Sequence, residues 1–377
     1  MSRHIIIDDA VPYAEAMFSH LGKVTLMPGR DISRQHLMDA DALVVRSRTQ
    51  VNAELLNGTP VKFVGSTVVG LDHIDQPYLH NNGIHFYSAQ GCNANSVAEY
   101  IMTCLLDLAE HKGFELTEKT LGIIGVGHVG SLVYDKAQKL GIRCLLNDPP
   151  RAEAHPQQAE QFVDLDTCLQ ADMITFHTPL THDGKHPTHH LLNKTRLASI
   201  RPDQVIINAA RGGIIDESAW QNTPTLANVI DCWENEPHID EALYQSAYLA
   251  TPHIAGHSLD AKIAGGSMVY TQLCQFWKIT PQETWHTQLP ARPPAITLNT
   301  EGSLQQQLYT TLKTVYDPRN DDLAIRRKNI EDTYKNYEEY RRNYPIHREW
   351  HQHRFIPGKN TALNNLLISL GFHAHKA

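Results

Sequence analysis

Gly125-Val-Gly127-His-Val-Gly130 is the feature that leaves this chain the fewest folding options. It follows directly on the apolar run Leu121 to Ile124 and opens a segment of helical composition that runs toward Leu140. Glycines at this spacing permit a tight turn and a close backbone approach to a pyrophosphate, which then lies in the field of the unsatisfied N–H groups at the helix N-terminus. Eighteen residues after Gly130, at the end of the next apolar run, stands Asp148. A carboxylate there accepts hydrogen bonds from adenosine ribose hydroxyls and repels a 2′-phosphate, so the loop, His128 and Val129 included, is expected to hold NAD. Arg151 nearby leaves NADP as the alternative.

Around this motif short β-branched runs alternate with helical stretches: Arg143–Asn147, Asp172–Phe176, Gln204–Asn208 and Asn228–Asp231. That alternation implies βαβ units on a doubly wound parallel sheet. An earlier series, Ile5–Ile7, Lys23–Leu26, Ala42–Val45 and Val61–Val64, reads as buried parallel strands of a second sheet. Between the two series Asn95–Glu110 forms an uninterrupted helical pattern with Gly113 as its stop, and the domain crossover is placed there. The Pro-rich stretch Leu289-Pro-Ala-Arg-Pro-Pro reads as a linker. Beyond it, Tyr334, Tyr337, Tyr340 and Tyr344 make one stripe on a charged helix, which is expected to pack on its own domain in preference to forming a subunit interface.

A chain of 377 residues exceeds one comfortable core, so two or three domains are expected. The net charge of -8 argues against nucleic acid or an anionic membrane as a partner, and leaves room only for a local basic pocket. Six singly scattered cysteines, no secretory leader and no apolar run of membrane-spanning length point to a reduced, cytoplasmic protein.

Three residues lie just past predicted strand ends, where open α/β sheets bind ligands: Arg211, Glu236 and His253. A histidine of near-neutral pKa suits removal of a hydroxyl proton as hydride leaves a carbinol carbon. A glutamate beside it would favour the imidazolium and fix its orientation, and an arginine fork would hold a carboxylate. The histidine-rich run Thr181–His190 fits no compact zinc spacing and reads as a surface loop, so no metal is expected.

These residues carry a resemblance. Gly125–Gly130, Phe176-His-Thr-Pro-Leu, Asn208-Ala-Ala-Arg-Gly-Gly, Val229-Ile-Asp-Cys-Trp-Glu-Asn-Glu-Pro and Thr251-Pro-His-Ile-Ala-Gly resemble the D-isomer-specific 2-hydroxyacid dehydrogenase superfamily. Val45-Arg-Ser-Arg-Thr, Gly65-Ser-Thr-Val-Val-Gly-Leu-Asp-His-Ile-Asp, Gly91-Cys-Asn-Ala-Asn-Ser-Val-Ala-Glu-Tyr and the C-terminal third are similar, more narrowly, to the erythronate-4-phosphate dehydrogenase family. The resemblance implies a Rossmann-type NAD-binding domain at 95–256, a flavodoxin-like substrate (lid) domain at 1–94 plus 257–283, and a C-terminal α+β dimerisation domain at 284–377. It implies NAD-dependent oxidation of 4-phospho-D-erythronate to (R)-3-hydroxy-2-oxo-4-phosphobutanoate by a homodimer, the second step of pyridoxal 5′-phosphate biosynthesis from erythrose 4-phosphate. By the same resemblance Arg211, Glu236 and His253 are catalytic. Asp148, Thr178, Ala209, Ala210, Arg211, Asp231 and Gly256 contact NAD, and Ser47 and Thr67 contact substrate. Where the family usually has a substrate-touching tyrosine this chain has His257, whose imidazole could still bond a phosphate oxygen.

Arg46 and Arg48 bracket Ser47 at a strand end, and period-2 alternation would turn both forks to one side, beside a phosphate. The equal alternative is one substrate arginine and one ordinary surface charge, since a strand-end loop need not keep that period. Competing functions are another 2-hydroxyacid dehydrogenase, such as a phosphoglycerate dehydrogenase, and a non-enzymatic NAD-sensing corepressor.

Overall fold

The computed structural model describes residues 3–327 and 329–375. It divides into two compact units, Met1–Asn93 with Ser258–Arg292, and Ala94–His257 with Pro293–Ala377. The chain thus leaves the first unit for the last time within the Pro-rich stretch.

In the first unit the short apolar runs become a five-stranded sheet of β1 (His4–Asp8), β2 (Lys23–Met27), β3 (Ala42–Val45), β4 (Phe63–Ser66) and β5 (His85–Ser88), all parallel, in the order β2-β1-β3-β4-β5. Successive side chains alternate between two covered faces. Ile5, Ile7, Val44 and Phe63 pack with Val269 and Leu273 of the helix Leu259–Trp277, while Ile6, Leu43, Val45 and Val64 pack with Leu37, Leu55 and Leu79. The expectation of four buried strands fails at β2. It is an edge strand with Lys23 and Leu26 exposed, because no neighbour covers its outer side. β4 starts two residues later than its apolar run suggests, and β5, half-exposed, carries no apolar run that would announce it.

The second unit holds β6 (Thr120–Ile124), β7 (Arg143–Asn147), β8 (Met173–Phe176), β9 (Val205–Asn208), β10 (Ala227–Ile230) and β11 (Leu249–Ala250), all parallel, in the order β7-β6-β8-β9-β10-β11. The sheet is doubly wound. Leu121, Ile123, Ile207 and Val229 face a core built on the helix Ala94–Lys112, which runs slightly longer at both ends than its sequence pattern and stops at Gly113 (φ 72°). Ile124, Ile174, Ile206 and Ile230 face the other core with Trp220 and Tyr244. Strand order reverses between β6 and β8, the switch point at which such sheets take ligands.

The C-terminal segment combines the helices Leu304–Val315, Pro318–Ile325, Ile330–Arg342 and Thr361–Leu370 with a small parallel sheet of β12 (Ile296–Thr297), β13 (Arg354–Ile356) and β14 (His373–Ala374). Among the described residues it builds no core of its own. Leu308, Leu312, Leu367 and Phe372 belong to the same apolar cluster as Ile101, Leu105 and Leu121. Arg319 grips the buried carboxylate of Asp107 with two hydrogen bonds of 2.8 Å. The tyrosine stripe faces inward, as its period suggested, although the helix ends at Arg342, short of Tyr344. Tyr337 is fully buried in the cluster of Trp233, Ile239 and Tyr244, and Tyr316, Tyr340 and Tyr344 donate to one carboxylate, Asp321, at 2.6, 2.7 and 2.8 Å.

Candidate active site

The glycine loop sits at the switch point of the second sheet. Gly125 takes a φ of 87°, and a Cβ there would meet the backbone of His177 and Thr178 at 2.8 Å, so only glycine lets the loop after β6 pass the end of β8. A Cβ on Gly130 would lie 2.0 Å from the Gly125 carbonyl oxygen, whereas one on Gly127 would meet nothing within 4 Å. The middle glycine therefore keeps open space at the start of the helix His128–Lys139, where the first-turn N–H groups lack intrahelical partners. Beside it the hydroxyl of Thr178 is buried with no hydrogen-bond partner among the described residues. A dinucleotide pyrophosphate fits this cradle. Asp148 accepts from Val126 N–H at 2.7 Å and caps the next helix through Arg151 N–H at 2.9 Å, and its carboxylate retains lone pairs for ribose hydroxyls. The Arg151 guanidinium bonds to the Val126 carbonyl and, at 2.9 Å, to Ser131, which ties it to the loop itself.

Arg211, Glu236 and His253 leave β9, β10 and β11, neighbouring strands, and the structure gathers them around one buried thiol. Cys232 feels Glu236 and Arg211, and its sulfur and the ligand atoms of Glu236 and His253 all lie within 4.8 Å of one another. Burial first, then the charges of Asp231 and Glu236, pushes that thiol up, so it stays protonated. His253 Nδ1 donates to Glu236 at 2.9 Å and 3.1 Å to its two oxygens, which leaves Nε2 for proton exchange. His253 sits at φ 54°, a strained conformation for a non-glycine residue, held by its N–H to Asp231 O at 2.7 Å. The Asp231 carboxylate then accepts from Ile254 N–H, Ala255 N–H and the Thr251 hydroxyl at 2.8, 3.0 and 2.7 Å, so it pins the turn that carries the histidine through to Gly256.

Burial alone would raise the Glu236 carboxyl. The charge and hydrogen bond of His253, the N–H of Trp233 at 2.9 Å and the charge of Arg341 overcome it and hold Glu236 at about 2. Arg341 belongs to the C-terminal helix and has no signal in the motifs; only the fold brings it to Glu236. Glu217 behaves oppositely: burial, opposed by a hydrogen bond from Glu234 N–H but reinforced by Glu234, Asp240 and Glu236, pushes it up to about 8. Arg211 itself leans over its own strand end, with Nη1 on the Ala210 carbonyl at 2.7 Å, between the buried Ala209 and Ala210 and a Gly212 whose Cβ would strike Trp233 O at 2.0 Å. His177, buried and driven down to about 3, is neutral.

The remaining candidates are placed separately. In the first unit Arg46, Ser47 and Arg48 lie in and beside a turn after β3, so period-2 alternation does not apply to them. Thr67 is buried and gives both its N–H and its hydroxyl to Val45 O, at 3.0 and 3.3 Å. In the second unit the His257 ring stands edge-on to Tyr344 at 5.7 Å. Within the histidine-rich loop the structure adds a neighbour that spacing could not show, Glu234, whose oxygen lies 2.8 Å from His190 Nε2. Among the described residues no helix is long and apolar enough to cross a membrane.

Comparison with known proteins sharpens this picture. Residues 100–255 match the family described as D-isomer specific 2-hydroxyacid dehydrogenase, NAD binding domain, and residues 289–371 match a domain of unknown function. The chain is 60% identical over 371 residues to the erythronate-4-phosphate dehydrogenase of Hydrogenovibrio crunogenus, covering 98% of each chain. To that of Proteus mirabilis it is 41% identical over 379 residues, covering 99% of this chain and all of the relative. Among solved structures it resembles the NAD-bound 3-phosphoglycerate dehydrogenase of Entamoeba histolytica, with a TM-score of 0.62 at 24% identity over 74% of this chain and 96% of that one. The D-lactate dehydrogenase of Aquifex aeolicus, complexed with NAD and lactic acid, gives 0.56 at 21% over 73% and 96%.

Proposed function

The chain belongs to the erythronate-4-phosphate dehydrogenase family, and on that premise we propose that it oxidises 4-phospho-D-erythronate to (R)-3-hydroxy-2-oxo-4-phosphobutanoate with NAD, the second step of pyridoxal 5′-phosphate synthesis from erythrose 4-phosphate. The observation that carries the chemistry is the His253–Glu236 pair, 2.9 Å apart at the strand ends of the unit that bears the glycine loop. His253 Nε2 takes the substrate hydroxyl proton, and the ionised Glu236 stabilises the imidazolium that results. Arg211 holds the substrate carboxylate and polarises the oxygen at the reacting carbon. NAD bound along Gly125–Gly130, Asp148 and Thr178 supplies the hydride acceptor. Thr178, Ala209, Ala210, Asp231 and Gly256 border that cofactor, while Ser47, Thr67, Arg46, Arg48 and His257 are the substrate contacts. Because the Arg151 guanidinium is occupied by its own loop, it is poorly placed to greet a 2′-phosphate, which supports NAD over NADP.

The enzyme acts as a homodimer through its C-terminal segment, in the cytoplasm. Among the described residues, five of the eight exposed large apolar side chains, Leu304, Leu323, Ile346, Ile356 and Ile368, lie in that segment, which supports a subunit interface there and not at the inward-facing tyrosines. The six cysteines stand as thiols, which supports a reducing compartment. Sedimentation equilibrium checks the dimer: a mass of twice 42.4 kDa is expected, and a monomer contradicts it.

NADH absorbance tests the function. With 4-phospho-D-erythronate and D-3-phosphoglycerate in parallel, each with 2-oxoglutarate added, conversion of the first is expected. Preference for the second would move the protein to the phosphoglycerate dehydrogenases, and silence with both, with NADH still bound, would favour a corepressor.

A further inference from the structure

The first unit carries a cationic pair that the motifs do not reveal. Its helix Leu259–Trp277 packs along the sheet, and two glycines in its first half show how closely it approaches the C-terminal ends of the strands: a Cβ on Gly265 would fall 2.3 Å from Thr67 O, and one on Gly266 would lie 3.2 Å from Val11. Lys262 precedes these glycines by three and four residues, so it occupies the same helix face one turn nearer the N-terminus, and its side chain leans further that way. Arg46 arrives at the same place from the sheet. It leaves β3 and sets Nη1 3.3 Å from the carbonyl of Ala10, the residue before Val11. Thr67 and Val11, the glycines' neighbours, thus place Arg46 and the first turns of this helix at the same end of the sheet.

We propose that Lys262 joins Arg46 to form the phosphate-binding subsite of the first unit, an inference that rests on the reading of the substrate as a phosphorylated 2-hydroxy acid. Two like charges gathered at half-buried positions repel, and an anion between them removes that cost. The effect is felt at Lys262, where burial first and the Arg46 charge second bring the ammonium down to about 8. Asp8 lies close enough to Arg46 to feel its charge, while burial, the larger effect, pushes this carboxyl above the ordinary range. A phosphate monoester dianion matches the pair: the planar guanidinium offers a bidentate fork and the ammonium a compact point charge. Lys262 lies outside every motif quoted above, and only the fold brings it to the end of the sheet that carries Arg46.

The test compares wild type with Lys262→Met and Lys262→Arg. It reads kcat/KM for 4-phospho-D-erythronate, binding of inorganic phosphate by calorimetry, and NADH affinity as a check on folding. Lys262→Met is expected to lose about thirtyfold or more in kcat/KM, mostly through KM, and to weaken phosphate binding about tenfold, with NADH affinity kept. Lys262→Arg is expected to recover most of both. Unchanged phosphate binding and a KM within twofold of wild type in Lys262→Met would overturn the subsite. Should Lys262→Met fail to bind NADH, Lys262→Gln takes its place in the same comparison. Wild type inactive on 4-phospho-D-erythronate would sink the functional reading instead, and the calorimetric comparison would still decide whether Lys262 binds phosphate.

Discussion

The two units begin from the same plan and diverge in one loop. Both sheets are parallel, and both place their first strand between the second and the third, β2-β1-β3 in one and β7-β6-β8 in the other. After β6 the chain turns through Gly125 and Gly127 into a helix of 12 residues that carries Gly130 in its first turn. From Asp8 at the end of β1 it runs through Asp9 into a helix of only 5 residues, entered at Tyr13 with φ 57°. A one-turn helix with no open glycine before it offers no cradle for a pyrophosphate, whereas open glycine and an uncapped N-terminus attract it. Strand order thus decides where a ligand can sit, and the loop chemistry decides which ligand it is.

Substitutions in the two loops sharpen that contrast. Gly130→Val puts a branched side chain where even a Cβ lies 2.0 Å from Gly125 O, so NADH affinity is expected to fall by about a hundredfold or more in a fluorescence titration. Pro12→Gly in the corresponding loop of the first unit should leave that affinity within about twofold; equal losses in both would break the comparison. Arg211→Lys keeps the charge and loses the fork, and we expect kcat/KM to fall roughly thirtyfold; an unchanged ratio would speak against bidentate carboxylate binding.

Smaller effects concern what holds the second unit together. Arg319→Met takes the guanidinium from the Asp107 carboxylate, which is 1% exposed and keeps the Tyr248 and Tyr309 hydroxyls, and should cost about 3 kcal/mol in urea unfolding, while a loss below about 1 kcal/mol would show the clamp to be incidental. Glu217 gives a pH signature. Its folded value of about 8 lies above the ordinary carboxyl range, so the folded state keeps a proton that the unfolded chain has lost. Stability should therefore decline as pH rises from about 5 to about 8 and be unaffected by this group at lower pH. Glu217→Gln should remove that slope, and parallel pH curves for the two proteins would contradict it.

Much of this was legible in the sequence because it is local. The glycine loop, Asp148 and the strand-end positions of Arg211, Glu236 and His253 follow from short spacings on single βα units. Edge strand β2 was misread because an apolar run does not say whether a neighbour will cover it, and β5 was missed because its half-exposed His-Phe-Tyr-Ser has no such run. Arg341 and Lys262 were invisible for another reason. Each reaches its neighbours only when a distant helix docks, so no spacing encodes the contact. The same holds for the merger of the C-terminal helices with the core of Leu121 and Ile101.

The most direct test of the account is to measure NADH affinity and turnover together in His253→Ala, because the second unit is held to bind cofactor with one set of loops and to move the proton with another. Unchanged NADH affinity with turnover reduced by about a hundredfold or more is the predicted result. Near-normal turnover on 4-phospho-D-erythronate would contradict the role given to the His253–Glu236 pair.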